Sequence, residues 1–136
     1  MIEQTHFIGT WQLVSQIQIR SDGEQTYPRG EHSKGLLIYD ATGWMSVQLM
    51  RRDRRPNEIL ADFKGAMEEY LGYYGTFTID EEAQTVTHHI EGSSYPVWIG
   101  TNQVREFEFS GNTLTLTATL SYEEYTLKRV LVWVKV

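Results

Sequence analysis

Cysteine is absent from the 136 residues, and proline occurs only three times. The first absence removes any disulfide framework, any thiolate metal ligand and any thiol nucleophile, and it fits a reducing compartment. The opening Met-Ile-Glu-Gln-Thr-His has neither a basic stretch nor an apolar run, so no signal peptide is read there and a cytoplasmic location is expected. No segment approaches the ~18 consecutive apolar residues of a membrane span, and no membrane partner is expected. Positive charge is scarce: 12 Lys and Arg against 18 Asp and Glu leave a net charge of −6. A chain so acidic is not expected to bind nucleic acid, whose phosphate backbone demands a basic surface. Four of its basic residues, Arg51, Arg52, Arg54 and Arg55, cluster around Asp53. They read as a solvated loop or as an anion-attracting rim.

What is present is a succession of short alternating runs cut by turn residues, the pattern of an antiparallel all-β domain occupying residues 1–136. Trp11, Leu13, Ile17 and Ile19 share one face of a first strand by parity, with Gln12, Gln16 and Gln18 on the other, and Asp22-Gly23 breaks it. A second strand runs from Gly35 to Tyr39, the tight turn Asp40-Ala41-Thr42-Gly43 follows, and a third runs from Trp44 to Met50. The period then changes. After Pro56, Asn57 reads as a helix cap, and Ile59, Leu60, Phe63, Met67, Tyr70, Leu71 and Tyr74 recur at helical spacing. Strands resume over Gly75 to Ile79, Thr85 to Glu91, Gln103 to Phe109, Thr113 to Leu120 and about Leu127 to Val136. The expected fold is a closed or nearly closed antiparallel barrel of about eight strands, with one α-helix between the third and fourth. A barrel of that size is wide enough to enclose one small molecule.

Gly9-Thr10-Trp11 at the first strand resembles the Gly-x-Trp signature of lipocalins and their calycin relatives. Further stretches resemble the bacterial and fungal lipocalin-like domain family. They include Met45 to Met50, Tyr73-Tyr74-Gly75-Thr76-Phe77, and Val86 to Ser93 continuing through Pro96, Trp98 and Gly100-Thr101 to Arg105. The resemblance spans nearly the whole chain. It implies that Trp11 closes one end of the barrel beneath a basic residue of the last strand. Arg129 and Lys135, which share parity with Trp133, are the candidates. It assigns no activity, so the site must be argued from the residues themselves.

Parity sorts the polar side chains. Glu106 and Glu108 belong in water, which turns Arg105 to the side of Phe107 and Phe109. His88 goes with Val86 and Ile90, whereas His89 goes with Thr87 and Glu91. Ser46 and Gln48 share parity with Trp44 and Met50, which makes them candidate polar points inside. The candidate ligand-binding set is Tyr39, Gln48, Tyr73, His88, Trp98 and Arg105: aromatic surface for an apolar body, with Arg105 and His88 for a carboxylate or carbonyl. The plainer reading leaves His88 a hydrogen-bonded core residue and Arg105 a structural one. Adjacent His88 and His89 face opposite sides and cannot share one tetrahedral metal site, so neither a metal nor a cofactor is expected.

Three functions compete. The first is binding of a small hydrophobic or amphiphilic molecule, carboxylate-bearing among the options, by a carrier or sensor. The second is a cofactor-free isomerase, cyclase or lyase with His88 as general acid or base and Arg105 stabilising negative charge. The third is a partner-binding module whose barrel is filled by its own side chains. A homodimer is compatible with all three.

Overall fold

A computed structural model describes residues 4–54 and 69–136. After a one-turn helix, α1 (Gln4–Phe7), come β1 (Gly9–Arg20), β2 (Gln25–Thr26), β3 (Lys34–Tyr39), β4 (Trp44–Met50) and β5 (Tyr70–Asp80). The chain continues through β6 (Thr85–Ser93), a 3-10 turn (Pro96–Trp98), β7 (Asn102–Ser110), β8 (Thr113–Ser121) and β9 (Thr126–Lys135). Each barrel strand pairs antiparallel with the next, and β1 also pairs with β9. That last ladder closes β1 and β3–β9 into an eight-stranded barrel, with β2 as a short edge addition to β1. None of the described helices is long and apolar enough to cross a membrane.

The expected helix between the third and fourth strands falls mostly on residues 55–68, outside the described residues. Its last three positions, Tyr70, Leu71 and Tyr74, are not helical but open β5, paired opposite Met50, Leu49 and Ser46. Leu71, Tyr73, Phe77 and the glycine at 75 are buried in alternation, so packing against β4 overrides the helical spacing there. The short helix α1 was not expected from the sequence. It caps one end of the barrel, where Phe7 is fully buried and meets Tyr39, Phe107 and Phe109 edge-on at centroid distances of 5.5, 5.0 and 4.9 Å.

Two bulges tune the barrel. The β1–β9 register shifts between Leu13 and Ser15, leaving Val14 unpaired and exposed. The inward phase therefore changes from odd positions (Trp11, Leu13) to even ones (Gln16, Gln18), which corrects the single-face assignment of Trp11, Leu13, Ile17 and Ile19. The second shift, at Tyr74 and Gly75, brings β5 so close to β6 that a Cβ on Gly75 would lie 1.8 Å from the His89 carbonyl oxygen. Only glycine fits there.

Candidate functional site

Three elements bring one polar group into the middle of the core. Tyr39 ends β3, Tyr73 lies on β5 and His88 on β6, and all three point inward and are buried. The Tyr39 hydroxyl is 2.6 Å from His88 Nε2, and the Tyr73 hydroxyl is 2.8 Å from Nδ1. Burial, with the Arg105 and His89 charges adding to it, pushes the His88 pKa down to about 3, so the ring is neutral at physiological pH. Burial raises the pKa of both phenols, and the nearby Arg105 partly offsets that rise. A neutral imidazole has one N–H and one bare nitrogen, so it donates to one tyrosine and accepts from the other. Of the three protons in the trio, two are used internally. One hydroxyl proton is left to donate elsewhere.

Trp98 in the 3-10 turn packs edge-on to Tyr73 at 5.6 Å and to Tyr95 at 5.8 Å, forming an aromatic wall beside the trio. Arg105, on the inward parity of β7 opposite Val86, donates from Nη1 to the Val104 carbonyl. Trp98 thus adjoins the trio through Tyr73, and the Arg105 charge is felt by Tyr39, Tyr73 and His88. Gln48 is not part of this group. The inward residues of β4 are Met45, Val47 and Leu49, so Ser46 and Gln48 lie on the outer face, where Gln48 Oε1 accepts the Tyr70 hydroxyl at 2.6 Å. The parity rule was sound there but anchored to the wrong aromatic: Trp44 is exposed and stacks on Tyr74 outside the barrel. His89 likewise faces out, bonded to Thr78 and Asn102.

Trp11 closes the capped end, its Nε1 donating to the Phe7 carbonyl at 2.9 Å. Lys135 is the basic residue laid across it, with Nζ 5.1 Å from the indole and bonded to the Ile8 carbonyl at 2.7 Å. Arg129 does not take that part. It sits three inward positions away along β9, and its Nε donates to Gln18 Oε1 at 2.8 Å.

Arg129 belongs to a group that reasoning from the sequence missed. Gln16, only 5% exposed, has an unpartnered buried Oε1, and Arg29 has an unpartnered buried Nε. Burial, compounded by repulsion from Arg129, lowers the Arg29 pKa, and burial likewise lowers that of Arg129. The β1 bulge turned the glutamines inward, and no local signal marks a bulge at Leu13–Ser15. Arg29 comes from a long loop that alternation does not describe. A separate hollow of about 520 Å³ lies mostly on the outer face, lined by Gln12, Leu36, Gln48, Met50, Arg52 and Tyr70 among others. None of its lining residues is among those with an unpartnered buried polar atom. Among the described residues no group of three His, Asp or Glu is arranged to hold a metal.

The chain is thus an antiparallel eight-stranded barrel capped at one end, with a polar trio in its core. The lipocalin-like domain model matches residues 8–136, and the chain belongs to that family. It is 38% identical over 86 residues to the 4'-hydroxy-3'-methoxypropiophenone carrier protein ppsC of Aspergillus oryzae (strain ATCC 42149 / RIB 40). That match covers 54% of this chain and 78% of the relative. No solved structure gives a significant match.

Proposed function

We propose that this protein is a carrier or sensor that holds one small amphiphilic molecule inside the barrel, with its apolar body against the aromatic wall and a carbonyl or similar acceptor at Tyr73. The observation that carries this reading is the proton count of the trio. His88 satisfies both tyrosines and still leaves one hydroxyl proton unspent in a buried setting, where an unmade hydrogen bond costs about 1–3 kcal/mol. Tyr73, which is 6% exposed against 1% for Tyr39 and touches Trp98, is the one that presents it. Similarity to a protein named as a carrier of an aryl ketone supports the same reading. The enzyme alternative, with His88 acting directly on substrate, is weaker because both of its ring nitrogens are engaged.

Calorimetric titration with 4'-hydroxy-3'-methoxypropiophenone tests the proposal. Saturable one-to-one binding, weakened by Tyr73→Phe without loss of the folded state, is the expected result. No saturable heat with this ketone or with any small aromatic probe would mean a filled barrel. Slow conversion of the bound ketone, abolished by Tyr73→Phe, would move the protein to the enzyme class.

A further inference from the structure

Strand register sets out a polar row across the barrel wall, on the side away from the α1 cap. Arg129 stands opposite Gln18 on β1 and opposite Ala118 on β8. One step beyond the Glu106–Thr117 pair, Ala118 faces Arg105 on β7. Ala118, buried and the smallest member of the row, separates the two arginines. Arg29, in the loop between β2 and β3, is half-buried and close enough to Arg129 for the two charges to repel, and Gln16 lies one inward position deeper than Gln18. The described residues place no carboxylate among them: the buried polar side chains are Gln16, Ser33 and His88, and the inward strand positions carry no Asp or Glu.

Three arginines on a net-acidic protein, turned into one half-buried space without a counter-charge, are costly unless an anion joins them. The cost is visible in particular atoms. Arg29 Nε is buried with no acceptor, and buried Gln16 has an amide oxygen with no donor. Rotating that amide would turn its NH2 group to the same place and add a donor. The arginines that have carboxylate partners lie nearer the surface: Arg20 pairs with Asp22 and Arg51 with Glu69.

We infer that Arg29, Arg105 and Arg129, with Gln16 and Gln18, form a subsite for the oxyanion of the bound molecule, so that the ligand class is a small aryl or alkyl carboxylate lying with its charged end among the arginines, its apolar body against the aromatic wall and any second acceptor at Tyr73. This rests on the carrier reading above and names the chemistry of that site's occupant. Guanidinium forks match a planar carboxylate in two-point fashion, which a lone lysine would not do.

Cinnamate and cinnamamide are probes of nearly equal shape that differ in charge. At low salt the native protein should bind cinnamate about tenfold or more tightly than the amide, with the preference shrinking as salt is added. The double variant Arg29→Gln with Arg129→Gln should erase the preference while keeping amide affinity, and its melting temperature should hold or rise because repulsion is relieved. Equal binding of acid and amide by the native protein overturns the subsite and leaves the carrier reading intact. So does a preference that survives in the double variant. A double variant that melts lower and loses the amide as well makes the arginines structural and also overturns the subsite. Binding of neither probe overturns the enclosed site itself.

Discussion

The two ends of this barrel are made from the same strands and obey opposite rules. At the capped end the connections are tight, as at Asp40–Gly43, where the Gly43 amide bonds the Asp40 carbonyl and Gly43 takes a φ of +95°. Phe7, Trp11, Phe107 and Trp133 fill the space, and the Trp11 indole and the Lys135 ammonium both have carbonyl partners. At the other end the chain leaves Arg20 and Ser93 into longer connections, and arginines and glutamines turn inward with polar atoms unmatched. The first end is packed by the protein's own aromatic side chains and leaves one buried donor, the Trp133 indole N–H, without a partner. The second leaves polar atoms of Gln16 and Arg29 unmatched, and the His88 trio sits at the boundary between them. Apolar packing dominates at one end and inward polar side chains at the other.

The contrast is broken most directly at the cap. Trp11→Ala removes a fully packed indole and its bond to Phe7, and should cost about 3–5 kcal/mol in chemical denaturation. A loss below about 1 kcal/mol would mean that the cap is not the stable end.

Acid attacks the boundary next. His88 titrates near 3 in the folded chain against 6.5 when free, so its neutral form favours folding fully above pH 6.5. That contribution should decline by roughly 1.4 kcal/mol per pH unit as the pH falls from 6.5 toward 3. His88→Gln should be less stable at neutral pH yet show a flatter decline between pH 6 and 4. Parallel decline in both proteins would place the acid-sensitive group elsewhere.

Smaller effects bear on binding as well as stability. Tyr73→Phe should lower affinity for a carbonyl-bearing aryl ligand by about tenfold, near 1.4 kcal/mol, and lower stability by about 1–3 kcal/mol because His88 Nδ1 loses its partner. Smallest of all, Gln48→Ala should alter stability by less than about 0.5 kcal/mol and leave affinity untouched, because its side chain meets Tyr70 on the outer face. An affinity loss there would put ligand in the outer hollow instead of the barrel.

Much of this architecture was legible in the chain. Alternation located eight strands, seven near their observed limits and β5 only from Gly75 onward, oriented His88 inward and His89 outward, and put Arg105 on the face of Phe107. The Gly9-Thr10-Trp11 signature pointed to the barrel and to its closing tryptophan. The failures have specific causes. Gln48 was misassigned because exposed Trp44 served as the marker of the inside. Gln16 and Gln18 were misassigned because one unpaired residue, Val14, reverses parity along β1. Tyr70, Leu71 and Tyr74 fit a helical period equally well, and only their ladder with β4 decides for strand.

By itself, then, the sequence determined what short-range alternation and turn chemistry encode: an all-β chain, its strand limits and its turns, and on most strands the facing of each side chain. These depend on neighbours a few residues apart, which the sequence displays directly. Tertiary structure alone decided the cap by α1, the choice of Lys135 over Arg129 above Trp11, and the joining of Tyr39, Tyr73 and His88. It also turned Gln16, Gln18, Arg29 and Arg129 toward one interior. Those outcomes depend on register across the β1–β9 closure and on a bulge, where residues more than a hundred positions apart become partners, as Gln18 and Arg129 do. Register is a property of two strands at once, so neither strand's own pattern contains it.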